Sequence, residues 1–234
     1  FGIPLFYREK HRISLTEAGE TLFQEAKKIL SCYEAAERAI GQISGIVQGR
    51  IVVGASTTMG EYILPQILGD FEVRYPDVET LLEIGNSDRI LNGVLSRYLD
   101  VGILAEEVKN RELHQEKIIE DELVLIASPK HPLSKKKKIV LKDLEDQRFI
   151  ARERGSGTRK EIESHLKKAG INAQRLRTTM WLGSSEAVKG AVEAGLGISI
   201  LSRWAIQKEL RLGTLHELAI QGVRIVRDFK LIHY

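Results

Sequence analysis

Apolar positions along this chain follow two rhythms. From Leu22, apolar or small residues recur at Ala26, Ile29, Tyr33, Ala36, Ile40, Ile43 and Val47, in alternating steps of four and three. That spacing is the seam of a helix that packs against another helix. So long and narrow a stripe is most readily buried against a second copy of the same chain, so the pattern predicts a dimer. Gly45 and Gly49 break the series, and Gly49 is a natural place for the helix to stop.

Beyond residue 49 the rhythm changes to short apolar runs separated by helical stretches. Residues 50–55, 81–84 and 101–104 read as strands, with helices at 62–71 and 89–98. A second cycle places strands at 123–127, 149–151, 179–182 and 198–201, and helices at 161–168 and 185–193. Strands that alternate with helices predict an α/β fold whose parallel sheet carries helices on its faces. Two similar lobes follow one another, and the last apolar segment, 223–234, is free to return to the first.

The residues ahead of the long helix carry a resemblance. Tyr7-Arg8-Glu9-Lys10-His11-Arg12 reads as a short extended pair with a basic turn, and it runs through Ile13 and Ser14 into Leu15-Thr16-Glu17-Ala18-Gly19. With the helix that follows, this closely resembles the LysR-type transcriptional regulators, over essentially the whole chain. The resemblance implies a wing remnant of a winged helix-turn-helix at residues 1–15 and a linker and dimerisation helix at 16–48. It implies a two-lobed, periplasmic-binding-protein-like effector domain at 49–234. Lobe I would span about 49–118 and 220–234 and lobe II about 119–219, with the chain crossing twice between them. It also implies a fragment, lacking the helix-turn-helix before Phe1 and a final helix after Tyr234.

Composition narrows the picture only in places. Hydrophobic residues make up 43% of 234, ample for cores in one or two domains. A net charge of +3 is too near neutral to indicate nucleic acid by itself, although basic residues concentrate at 8–12 and 135–138. The single cysteine, Cys32, excludes an internal disulfide framework and fits a reducing cytoplasm. Beside the helix seam it is expected to be a half-buried structural thiol. With no leader and no long apolar run, the expectation is a cytoplasmic protein without a membrane partner.

Three strand-to-helix turns hold the candidate chemistry. Ser56-Thr57-Thr58 follows the first strand, where unpaired N–H groups and hydroxyls suit an anion, or serve simply as a helix cap. The family resemblance favours the first reading, since Ser56 and Thr58 match positions that hold the acidic group of an effector. The second turn, Arg152 to Arg159, contains Gly155, Ser156 and Thr158, which can cradle an anion. It lacks the ending of a nucleotide P-loop. In the third, Ser184 and Ser185 precede a helix and are read as cap or cleft residues. Ala105, after the third strand, stands where some relatives carry a hydroxyl.

The run Lys135 to Lys138 reads as a solvated loop, with an RNA polymerase contact as the lesser alternative. Arg8, Lys10, His11 and Arg12 are expected to position the protein on the DNA backbone or minor groove. Catalysis finds no constellation: no serine occupies a Gly-x-Ser-x-Gly elbow and the histidines lack metal spacing. The reading is a non-enzymatic, ligand-responsive transcription factor that binds promoter DNA and a small anionic metabolite and needs no cofactor. It would dimerise and, in the family, assemble further to a tetramer. The hydroxyl-rich first turn is reminiscent of the branch concerned with cysteine, sulfur or selenium. The rivals are a transporter's solute-binding protein, which needs a secretion signal and no helical seam, and a two-lobed cytoplasmic enzyme.

Overall fold

A computed structural model describes the chain except residues 1, 10, 11, 44–46, 106 and 171–174, with the side chains of 9, 12, 31, 34, 35 and 37–43 also left out. The chain opens with a hairpin of β1 (Phe6–Glu9) and β2 (Arg12–Leu15), antiparallel, followed by helix α1 (Glu17–Ile43). Thr16 joins the two. Its hydroxyl accepts the Gly19 N–H at 3.0 Å, a helix cap, and donates to the Pro4 carbonyl at 2.8 Å. Gly19 is required by close approach, because a Cβ there would fall 2.0 Å from the Leu5 carbonyl oxygen.

The rest folds into two α/β lobes. In lobe I, β3 (Gly49–Ser56) pairs in parallel with β4 (Val78–Gly85) and β5 (Val101–Leu104). Helices α2 (Thr57–Tyr62), α3 (Leu64–Arg74) and α4 (Ser87–Leu95) connect them. In lobe II, β7 (Arg148–Arg152) and β8 (Arg177–Leu182) are parallel, with α5 (Gly157–Lys168) between them and α6 (Ser185–Glu193) after them. Strand β9 (Ser199–Ser202), α7 (Gln207–Leu212) and β10 (His216–Leu218) complete that lobe.

Two long strands join the lobes. β6 (His114–Ala127) and β11 (Ile225–His233) run antiparallel to each other over most of their length. β11 pairs with β5 in lobe I, while the far end of β6 pairs with β9 and β10 in lobe II. The mainly parallel sheet expected from the sequence is therefore mixed, because the chain must pass from one lobe to the other and back. The far end of β6 is buried on both faces. Leu123 and Leu125 enter one core with Leu166 and Ile198, and Val124 and Ile126 enter another with Val188 and Leu201. That explains the continuous apolar run. The first half of β6, which is mostly exposed, was not legible as a strand.

Several expectations shift. The helix expected at 62–71 is two helices, α2 and α3, and α2 starts directly at the end of β3. Gly49 does not stop α1; it opens β3 with φ 128°. Along the predicted seam Leu22 and Ala26 are half-buried, while Ile29, Tyr33, Ala36 and Val47 are exposed in the single chain; the side chains of Ile40 and Ile43 lie outside the described residues. Cys32 is exposed in the single chain.

Candidate functional site

The cleft between the lobes is narrow, with a cavity of about 10 Å³, and is lined by residues from several strands and strand-to-helix turns. Ser56, Thr57 and Thr58 come from the β3–α2 turn, and Gly85, Asn86 and Ser87 from the β4–α4 turn. Ser156, Gly157 and Thr158 begin α5, and Ala105 follows β5. Arg152, at the end of β7, and Arg227, on the crossing strand β11, complete the wall.

Arg227 is almost fully buried, which a guanidinium tolerates only when paired. Its Nε donates to Asp121 Oδ2 at 2.8 Å, and Asp121 Oδ1 accepts from Ser202 at 2.7 Å. The remaining nitrogens donate to a threonine from each lobe, Nη1 to Thr158 Oγ1 at 3.0 Å and Nη2 to Thr58 Oγ1 at 3.1 Å. Burial pushes the Arg227 pKa down from its usual value, opposed by the attraction of Asp121. Arginine's high intrinsic pKa keeps the group charged.

Arg152 makes the second bridge. It donates to Ser185 Oγ in lobe II at 3.0 Å, to Thr57 Oγ1 in lobe I at 3.4 Å, and to both oxygens of Glu153. Both arginines thus present charge to the cleft while a neighbouring carboxylate stabilises each.

Two hydroxyls stand apart. Ser56 precedes α2 but makes no side-chain cap hydrogen bond, and among the described residues neither its buried Oγ nor the buried Ser87 Oγ has a hydrogen-bond partner. A buried hydroxyl without a partner is costly, so each calls for an acceptor or donor supplied from elsewhere. Asn86 by contrast caps α4, accepting the Arg89 N–H at 2.9 Å, and Ser156 caps α5 through the Arg159 N–H at 3.5 Å. Helices α4 and α5 turn their N-terminal ends to the cleft, an arrangement that favours negative charge.

Of the residues singled out from sequence, Ser56, Thr57, Thr58, Ala105, Ser156 and Thr158 are brought together in this cleft. Gly155 lies just behind, with φ 86° and its ideal Cβ position 3.2 Å from Asn86 Nδ2, so it shapes the loop against the opposite lobe. Ser184 is not part of the lining: its hydroxyl caps α6 by accepting the Ala187 N–H at 3.1 Å. Ser185 is reached only through Arg152. Ala105 offers a methyl where a hydroxyl was weighed. Asn86, Ser87, Asp121 and Arg227 were missed. Arg227 alternates with the buried Ile225 and Phe229, and a charge on the buried face of a strand was the available signal.

Away from the cleft, Arg8 is exposed on β1, Lys10 and His11 lie outside the described residues, and only the backbone of Arg12 is described. Lys135 to Lys138 are exposed, with Lys136 ion-paired to Asp143 at 2.6 Å. Among the described residues no cluster of metal-ligating side chains occurs, and no helix is long and apolar enough to cross a membrane.

Two α/β lobes on a pair of crossing strands, with arginines and hydroxyls facing one cleft, define a binding domain of the periplasmic-binding-protein-like kind. The family model described as the LysR substrate binding domain matches residues 44–234. The chain belongs to the LysR family of transcriptional regulators. It is 38% identical to a probable RuBisCO transcriptional regulator of Cyanidium caldarium, over 99% of this chain and 74% of that protein. It is 35% identical to the transcriptional activator CmpR of Synechocystis sp., over 99% and 75%. The regulatory domain of CcmR from Synechocystis PCC6803, solved in complex with 2-PG, superposes with a TM-score of 0.73 at 32% identity, covering 80% of this chain and 88% of that one. Of these three, the Cyanidium caldarium protein is named for RuBisCO regulation.

Proposed function

We propose that the cleft is the effector site of a ligand-responsive regulator and that it takes a small anionic metabolite. The observation that carries this is the pair of buried hydroxyls, Ser56 and Ser87, without partners among the described residues and lining one cleft with Arg152 and Arg227. A compact oxyanion, carboxylate or phosphate, supplies acceptors for the hydroxyls and charge for the arginines. Complex formation between 2-PG and the CcmR regulatory domain supports this class of ligand. The rest of the reading follows the proposed division into wing remnant 1–15, linker helix 16–48 and effector domain 49–234. The ligand shifts the balance between lobe arrangements, and the linker helix carries that shift to the DNA-binding heads.

In the same reading the chain binds promoter DNA, with Arg8, Lys10, His11 and Arg12 on the backbone or minor groove. It self-associates through Leu22, Ala26, Ile29, Tyr33, Ala36, Ile40, Ile43 and Val47 as a dimer that assembles to a tetramer. It works in the cytoplasm, without enzymatic activity, and RNA polymerase is a further partner. Isothermal titration of the chain with 2-PG, inorganic phosphate and shikimate, repeated on Ser56→Ala and Ser87→Ala, tests the effector site. One ligand that binds the parent and loses affinity for both variants supports it; equal binding to all three proteins rejects it.

A further inference from the structure

A second set of contacts spans the cleft beside the effector residues. Tyr62 ends α2 in lobe I, and its Oη donates to Glu186 Oε1 of α6 in lobe II at 2.7 Å. The same carboxylate oxygen accepts from Lys189 Nζ at 2.7 Å, and Lys189 also donates to Glu209 of α7 at 2.9 Å. Lys189 is buried, and its ammonium lies 5.1 Å from the centre of the Tyr62 ring. Its two carboxylates hold it within lobe II whether or not lobe I is near. Tyr62 is the element that comes from the other side, giving the ammonium an aromatic face and the carboxylate a donor.

Position makes these contacts more than packing. α2 begins at Thr57 and Thr58 in the cleft and ends at Tyr62, so one short rigid element carries both. On the other side Ser185, held by Arg152, is the immediate neighbour of Glu186. Any movement that pulls the lobes apart at the cleft must break the Tyr62 contacts with Glu186 and Lys189.

We propose that Tyr62, Glu186 and Lys189 form a clasp that holds the two lobes closed before an effector arrives, and that Tyr62 is thereby an affinity-determining positioning residue for the cleft. A ligand that binds the closed form has its apparent affinity scaled by the fraction already closed. Removing the tyrosine hydroxyl, a net loss typical of one hydrogen bond, lowers the ratio of closed to open chains by about five-fold and weakens effector binding by at most that factor. The consequence for affinity rests on the effector reading above, whereas the closure itself does not.

Spin labels at Gln66→Cys and Arg211→Cys, exposed positions on α3 and α7, in a Cys32→Ser background report the distance between lobes. Labelled chain is diluted with unlabelled chain so that only distances within one chain are read. Without ligand, Tyr62→Phe and, separately, Glu186→Gln are expected to lengthen and broaden the distance distribution, and saturating 2-PG to return it to the parent's. A parent-like distribution in both ligand-free variants, with circular dichroism confirming that both are folded, overturns the clasp. A broadened distribution that 2-PG leaves unchanged upholds the clasp and counts instead against 2-PG as effector.

Discussion

Arg227 and Asp121 face each other in register on the two strands that cross between the lobes, and their ion pair is buried at 2.7 Å. The pair therefore sits where the two lobes share backbone through paired strands, and from it Arg227 reaches a threonine in each lobe. A buried pair of this kind contributes little net stability over an apolar substitute, but leaving one partner alone is expensive.

Asp121→Asn is accordingly expected to destabilise the fold by about 3–5 kcal/mol, read by urea unfolding. The double substitution Asp121→Leu with Arg227→Met should recover most of that loss, because no charge is left buried. It should not recover binding of 2-PG. A double variant no more stable than the single one would show that the pair is a net source of stability.

Ser56→Ala and Ser87→Ala should behave in the opposite way. Neither hydroxyl has a partner among the described residues, so the melting temperature should hold or rise slightly. Ligand affinity should fall by about ten-fold for each, the cost of one hydrogen bond to a charged acceptor. Calorimetric unfolding with titration on the same samples separates the two effects; a large loss of stability would mean the hydroxyls serve the fold.

Glu61 gives a pH dependence with a definite sign. Desolvation raises its pKa above 4.5, with Glu186 adding to the shift, while the nearby Tyr62 hydroxyl and the charges of Arg152 and Lys189 oppose it. A raised pKa means that the protonated carboxyl is favoured in the folded state. The stability it supplies is fully present below 4.5 and is lost as pH rises through the folded-state value. Glu61→Gln, which stays neutral, should therefore melt higher than the parent at pH 7, with the difference shrinking towards pH 4.

The linker helix yields a test of assembly. Ile29 and Tyr33 are 68% and 62% exposed along the predicted seam, which is more apolar surface than a lone helix usually leaves in water. In the proposed dimer, Ile29→Asp with Tyr33→Asp should yield a monomer in sedimentation equilibrium while leaving the effector domain's melting unchanged. Unaltered mass in the double variant would remove this face from the interface.

Much of the cleft was legible because it is built at strand-to-helix turns. Ser56-Thr57-Thr58 and Ser156-Gly157-Thr158 each sit between an apolar run and a helical pattern, which is where side chains of an α/β lobe converge. Ser184 and Ser185 show the limit of that logic. Adjacent in sequence, they differ in use: one caps α6 and the other receives Arg152 from a different strand. Local pattern places a hydroxyl at a helix start but does not say which way it points.

The sequence by itself determined much of the strand and helix order, the heptad helix and the family, since periodicity and short motifs are local properties. Only the tertiary structure decided that Arg227 pairs with Asp121, that Arg152 bridges Thr57 and Ser185, and that Tyr62 meets Glu186. These partners lie 106, 95 and 124 residues apart for Asp121–Arg227, Thr57–Arg152 and Tyr62–Glu186. Such charges and hydroxyls carry no periodic signature; they find one another only when two crossing strands fix the lobes face to face.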